Sequence, residues 1–179
     1  TIDILRKKED DDYLIDHILD KAGNKGTGNW TTVAASQLGY PATMITTALY
    51  ARYVSAYKSD RAEASEVYGF EQRSAATLTS DELKEAYRLA RIINHHQGFE
   101  LMRSASEAFA WDLDLSGIAR IWTNGCIIRS ELMNQLILPL EGKQAILIQP
   151  EQVKTITAGR KDLISLITNG LGAGYSMPC

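Results

Sequence analysis

Three polar residues in the first third of the chain have the types and spacing of an anion-binding site. Lys25 and Thr27 lie in the segment NKGTGNWTT, residues 24–32, and Arg52 lies in the later segment ALYARYVSAYKS. Lysine and arginine supply positive charge, threonine supplies a hydroxyl group, and the glycines leave backbone amides accessible. Free amides at the start of a helix favour anions, phosphate above all. These three residues are therefore candidates for binding a phosphate group.

A predicted helical hairpin explains how Arg52 would return to the loop that holds Lys25. Residues 26–51 contain no charged side chain, which is typical of a buried pair of helices. At about 1.5 Å per residue, the helix predicted from about residue 29 to 38 rises about 14 Å. The chain then reverses at residues 39–41, and the next helix descends about 15 Å before it reaches Arg52. We therefore expect the two cations and the hydroxyl group to converge on one space.

Residue spacing alone leaves two structural explanations open. A Lys-Gly-Thr-Gly run ahead of a helix is often only a flexible cap, and Arg52 could pair with a structural carboxylate. The loop is not a Walker A motif, because that motif places its lysine after the glycines and follows a strand. From the residues, an anion site and a purely structural loop both remain possible.

The rest of the sequence predicts an all-α fold, a multi-helix array in a single domain over residues 1–179. Apolar residues recur at helical spacing along most of the chain, and signals for strands are nearly absent. The predicted helices cover residues 13–22, 29–38, 43–65, 80–109, 116–122, 127–138 and 150–169, with a polar connection at 66–78. Thr79 and Glu82 form a capping box for the fourth helix, whose inward residues are Leu83, Ala86, Ala90, Ile93 and Leu101. The run at 145–148 is strand-like but too short to define a sheet.

Composition and charge exclude several functional classes. The chain has 179 residues, a formal net charge of -3 and a pI near 5.6, which argue against binding to nucleic acid or to acidic membranes. No uncharged apolar run approaches the roughly 20 residues of a membrane span. Two cysteines form no disulfide framework and indicate a reducing, cytoplasmic setting.

Several motifs imitate metal, cofactor or nucleophile sites and are better explained structurally. Residues 112–117 resemble the first half of a calcium loop, but the twelfth position, where a glutamate is needed, is Thr123. His95 and His96 are adjacent on a predicted helix and point about 100° apart, so they cannot coordinate one metal ion together. Cys126 lies in an apolar setting that suggests an inert thiol. We therefore expect no metal and assign no catalytic residue to these 179 residues.

Several longer sequence segments resemble those of a known protein family. KAGNKGTGNWTTVAASQLGYP resembles the KGTG(K/R)WT segment of the 6-phosphogluconate dehydrogenases, the NADP-dependent decarboxylating enzymes. ALYARYVSAYKSDR is similar to the helix that follows in that family, and QGFELMRSASEAFAWDLDLSGIARIW and GCIIRSELMNQ are similar to later segments. The resemblance covers nearly the whole chain, with a gap around residues 139–162.

The resemblance implies a role for this chain within a larger enzyme. In the family, an all-α C-terminal domain follows an N-terminal Rossmann domain and builds a homodimer. The family oxidises and decarboxylates 6-phosphogluconate to ribulose 5-phosphate in the pentose phosphate pathway, with reduction of NADP. The family's phosphate-binding residues correspond to Lys25, Thr27 and Arg52. NADP is bound mainly by the N-terminal domain, which also carries the catalytic lysine and glutamate.

The ends of the chain and two departures shape what we expect of it. The chain starts at TIDILRKK without methionine and stops at YSMPC, so we expect a fragment that is inactive alone. Asn29 stands where the family usually has a basic residue, and Thr123-Asn124 replaces an arginine-containing pair. The alternative function is a non-catalytic helical module used only for association.

Overall fold

The computed structural model describes residues 2–69, 74 and 77–178, and the predicted all-α fold is confirmed. Its α-helices are α1 (Ile2–Arg6), α2 (Thr27–Gln37), α3 (Thr43–Ala56), α4 (Lys58–Tyr68), α5 (Ser80–Phe109), α6 (Leu115–Ile121), α7 (Glu131–Glu141) and α8 (Pro150–Gly172). Short 3-10 helices cover Leu14–His17 and Ile146–Ile148. One small antiparallel hairpin pairs β1 (Lys8–Glu9) with β2 (Asp12–Tyr13). None of the helices in this described part combines the length and the hydrophobicity that crossing a bilayer requires.

The main hydrophobic core lies among helices α5 to α8. Its largest fully buried side chains are Ile92, Phe99, Met133, Leu136 and Ile146. Helix α8 lies against α5, and Gly159 faces that helix, since a Cβ atom there would make an ordinary contact, 3.6 Å from the Glu85 carbonyl oxygen. The second half of the chain is therefore held together by buried apolar surface.

Helix starts in this half follow their capping residues. The Thr79 side chain accepts from the Glu82 amide and the Glu82 carboxylate accepts from the Thr79 amide, so the predicted capping box is present. Hydrogen bonding from Thr79 holds the pKa of the Glu82 carboxyl group below its usual value. Helix α7 begins at Glu131, behind the cap of Ser130, and not at residue 127 as predicted. Ile127 is 99% exposed, because none of the described elements covers it.

The prediction of a first helix over residues 13–22 is wrong. The chain instead turns at Asp10, which has a φ of 53°, and forms the β1–β2 hairpin and the 3-10 helix Leu14–His17. Its apolar side chains, including Ile18 and Leu19, remain exposed. Apolar spacing produces a short helix only where another element buries the apolar face, and no such element covers this one in the described residues.

Three smaller predictions are also corrected. The predicted helix 43–65 is interrupted at Tyr57, whose ψ of 58° ends α3 and starts α4. Leu83 was predicted to point inward and is 51% exposed. The strand-like run at 145–148 contains the 3-10 helix Ile146–Ile148, with Ile146 as a core residue. Of the predicted connection at 66–78, residues 70–73 and 75–76 lie outside the described residues.

Candidate functional site

Helices α2 and α3 form the antiparallel hairpin that the sequence predicts. The chain reverses after Gly39, which has a φ of 65°. The hydroxyl groups of Thr32 and Thr46 lie 3.2 Å apart. One turn nearer the loop, a Cβ atom on Gly28 would lie 3.0 Å from Leu49 Cδ1, so a larger residue would require the Leu49 side chain to move. The helices run in opposite directions, so the next turn of α3, which carries Arg52, lies level with the loop that precedes α2.

Arg52 lies beside the loop. Its guanidinium group donates a hydrogen bond to the carbonyl oxygen of Gly23, two residues before Lys25. The arginine is exposed, and one of its five N–H groups makes this bond. Sequence geometry therefore located Arg52 correctly, whereas its role in binding an anion stays a prediction.

The loop ends in an open helix N-terminus. Gly26 is the N-cap residue of α2 with a φ of 100°, a backbone conformation that favours glycine. Its amide donates to Asn24 Oδ1 at 2.9 Å, which closes a tight turn around Lys25. Helical hydrogen bonding begins with the Trp30 amide, which donates to the Gly26 carbonyl at 3.0 Å. The amides of Thr27 and the next two residues thus precede the first helical bond and can donate to a ligand.

This end of the hairpin can attract an anion through four kinds of donor group. Lys25 and Thr27 are exposed on the loop and at the first position of α2, and Arg52 reaches the loop from α3. An ammonium group, a guanidinium group, a hydroxyl group and helix-terminal amides all donate hydrogen bonds to phosphate oxygens. We assign these groups to binding an anion, and we assign no group of this loop to proton transfer.

Sequence reasoning missed the residues that hold the loop. The Ala22 amide donates to Ser55 Oγ at 3.0 Å, and Asn24 Nδ2 donates to the Tyr53 hydroxyl at 3.1 Å. Both partners lie on α3 near Arg52. Roughly thirty residues separate each pair, and half-buried Ser and Tyr side chains carry no sequence signal for such a contact. Only the folded hairpin brings them together.

The two histidines that sequence analysis discounted as metal ligands lie on α5. Burial lowers the pKa of His95 and of His96 below the usual value for histidine. His95 Nδ1 lies 2.7 Å from the Arg91 carbonyl oxygen, the helical residue one turn earlier. Across the part of the chain that the structure describes, no cluster of three or more His, Cys, Asp or Glu side chains is arranged to hold a metal.

An apolar cavity of about 520 Å³ is lined by residues of α2 and of the middle of α5. Trp30, Leu38, Phe99 and Trp111 are among its lining residues. Trp30 is 69% exposed, and Trp111 is also exposed. This surface suits an apolar partner rather than a sugar phosphate.

Comparisons with known proteins agree with one another. The model of the family described as "6-phosphogluconate dehydrogenase, C-terminal domain" matches residues 1–179. The chain is 38% identical over 191 residues to the decarboxylating 6-phosphogluconate dehydrogenase of Drosophila melanogaster, covering 99% of this chain and 38% of that protein. It is 42% identical over 144 residues to the corresponding protein of Lactococcus lactis subsp. lactis, covering 76% of this chain and 30% of that protein.

A solved structure is similar over almost the whole chain. The 6-phosphogluconate dehydrogenase of Plasmodium falciparum matches with a TM-score of 0.90 and 31% identity, over 98% of this chain and 40% of that one. That protein is described in its apo form, with its cofactor NADP+ and with its substrate 6-phosphogluconate. The present chain spans about a third of the length of the curated relatives named above.

Proposed function

The chain belongs to the 6-phosphogluconate dehydrogenase family, and from this premise we propose that it supplies the substrate-phosphate contacts of such an enzyme. The whole protein oxidises 6-phosphogluconate at C3 by hydride transfer to NADP, and loss of CO2 then leads to ribulose 5-phosphate. In this proposal Lys25, Thr27 and Arg52 bind the phosphate end of the substrate. Holding that end orients C3 toward the nicotinamide, which is a positioning role.

The observation that supports the proposal is the contact between Arg52 and the loop. The Arg52 guanidinium group donates a hydrogen bond to the carbonyl oxygen of Gly23. Gly23 precedes Lys25 by two positions, and the open N-terminus of α2 follows. A lone lysine on a glycine loop would be an ordinary cap. A second cation brought back by a helical hairpin to the same loop is what a phosphate site requires.

Three further parts of the proposal concern the intact protein. We propose that NADP binds mainly to a domain outside these 179 residues, and that this chain alone has no dehydrogenase activity. We also propose a homodimer formed through the helical domain, and a single domain over residues 1–179. A cytoplasmic location is proposed because the chain uses few cysteines.

The test is the Arg52→Ala variant of the full-length enzyme. Removing a charge-assisted hydrogen bond costs about 1.5–3 kcal/mol, so the KM for 6-phosphogluconate should rise about tenfold or more. The KM for NADP should change much less, because in this proposal NADP binds mainly to a domain outside these 179 residues. Steady-state kinetics with each substrate varied in turn measures both constants.

Lys25→Ala gives an independent measurement, and Lys154→Ala, at an exposed lysine on α8, is the matched control. We expect Lys25→Ala to raise the same KM and Lys154→Ala to leave it unchanged. An unaltered KM for 6-phosphogluconate in both Arg52→Ala and Lys25→Ala would show that this loop does not bind the substrate phosphate.

One observation favours a second function, that of a non-catalytic association module. The apolar cavity between α2 and α5 and the exposed Trp30 and Trp111 beside it resemble an interface more than a sugar site. Titrating the 179-residue chain with 6-phosphogluconate while following its melting temperature separates the two functions. Stabilisation that is lost in Lys25→Ala supports substrate binding, and its absence supports association alone.

A further inference from the structure

The segment that carries Lys25 receives little support from hydrophobic burial. Residues 18–26 contain no described α-helix or strand. Ile18 is 53% exposed and Leu19 is 64% exposed, so the apolar side chains ahead of the loop are not packed into the core. The position of Lys25 relative to Arg52 must therefore depend on polar contacts.

Asp20 makes the first of these contacts. Its carboxylate lies 2.5 Å from Lys58 Nζ and 2.9 Å from Arg61 Nη1, and Arg61 Nη2 donates to the Asp20 carbonyl oxygen at 3.0 Å. Hydrogen bonds from Lys58 and then from Arg61 lower the pKa of Asp20 to about 2, so the carboxylate stays charged at neutral pH. One residue of the loop segment thus engages two cations of α4.

The same segment is attached at several successive points to one short stretch of chain. After Asp20, the Ala22 amide, the Gly23 carbonyl and the Asn24 side chain bond to residues of α3. The Arg61 guanidinium also donates to the Ser55 carbonyl at 3.1 Å, which joins the end of α3 to the start of α4 across the break at Tyr57. These contacts place the loop segment against residues 52–61.

We propose that Asp20, held by Lys58 and Arg61, is a positioning residue that sets where Lys25 lies relative to Arg52. It would not touch the substrate. This inference rests on the proposed function, because it assigns Asp20 an effect on phosphate binding through the loop. Exposed ion pairs contribute little to stability, so the contacts should matter for the geometry of the loop more than for the fold.

The experiment uses Asp20→Asn in the full-length enzyme, which keeps the shape of the side chain and removes its charge. The KM for 6-phosphogluconate should rise roughly threefold to tenfold, less than in Arg52→Ala, because the proposed phosphate-binding residues remain but are misplaced. The KM for NADP and the melting temperature should change little. Glu141→Gln, which removes the carboxylate of the surface pair with Arg120, is the matched control and should leave both KM values unchanged.

A double-mutant cycle distinguishes positioning from a general structural effect. If Asp20 acts through Lys25, then Asp20→Asn should change KM by less than about twofold in a Lys25→Ala background. Effects that multiply fully in the double variant, or equal increases in the two KM values of Asp20→Asn, would overturn the inference. An unchanged KM for 6-phosphogluconate in Asp20→Asn would do the same.

Two further results separate this inference from the function on which it rests. If Lys25→Ala raises KM and Asp20→Asn does not, only the positioning role fails. If Lys25→Ala and Arg52→Ala leave KM unchanged, the proposed phosphate site is wrong, and the positioning role of Asp20 is wrong as well. Lys58→Gln removes one of the two cationic partners of the same carboxylate and is expected to raise KM in the same direction, so it provides the test if Asp20→Asn does not fold.

Discussion

The two halves of this chain are held together by different forces. Residues 80–173, the core half, bury Ile92, Phe99, Met133, Leu136 and Ile146 completely. In residues 2–68, the loop half, the buried hydrophobic side chains among those described are Ala35, Ala42 and Leu49, while tyrosines, valines and leucines remain exposed. Ala35 and Ala42 pack with Leu101 of α5, and hydrogen bonds and ion pairs hold much of the rest.

This difference indicates where substitutions should act. The candidate site lies in the loop half, where polar contacts set the geometry of a few exposed side chains. Changes there should alter binding more than folding. Changes in the core half should alter folding, because each removed side chain leaves a cavity among close-packed neighbours.

The largest expected effect comes from breaking the core half. Phe99 is fully buried, and its ring lies 5.7 Å from the ring of Trp122. Phe99→Ala should lower the free energy of unfolding of the 179-residue chain by about 3–5 kcal/mol. Urea denaturation measures it, with Leu19→Ala in the loop half as the control, expected to change stability by less than about 0.5 kcal/mol. Similar losses in both variants would contradict the contrast between the halves.

A smaller effect is expected at the junction of the halves. Gln97 of α5 is buried, accepts from the Met44 amide at 2.9 Å and donates to Thr43 Oγ at 2.9 Å, so it caps the start of α3. Gln97→Ala should cost about 1–3 kcal/mol, since the partly buried Met44 amide loses its partner.

Hydrogen exchange in Gln97→Ala should show faster exchange in α3 than in α8. The control is Gln135→Ala, at an exposed glutamine of α7. A uniform increase in exchange through both halves would show that Gln97 supports the whole fold and not the junction.

The smallest expected effect is a pH dependence from the histidines of α5. Burial lowers the pKa values of His95 and His96 in the folded chain, so the unfolded chain takes up protons first as the pH falls below about 6.5. Stability should therefore decrease between pH 7 and pH 5. Asp20 and Glu82, whose pKa values are lowered, begin to lose their contributions only at more acidic pH.

Melting temperatures at pH 7 and pH 5 measure this dependence. We expect the difference to shrink in the double variant His95→Gln/His96→Gln. His17→Gln, at an exposed histidine, is the control. A pH difference that is unchanged in the double variant would assign it to other groups.

Local signals predicted many helix starts and the approximate position of Arg52. The capping box at Thr79, the reversal near Gly39 and the length of the α2–α3 pair all depend on contacts between residues close in sequence. Predictions failed where an apolar pattern had no neighbour among the described residues to pack on, as in residues 13–22 and at Ile127. A pattern of apolar residues states which face could be buried, but burial needs a second surface.

For the site, the sequence by itself determined which residues could bind an anion, because charge, hydroxyl chemistry and glycine flexibility are properties of the residues. It also determined the helical hairpin, because helix length converts residue number into distance. Only the tertiary structure decided what holds Lys25 beside that hairpin. The pairing of Asp20 with Lys58 and Arg61 joins residues about forty positions apart, and no local preference of the chain encodes such a contact.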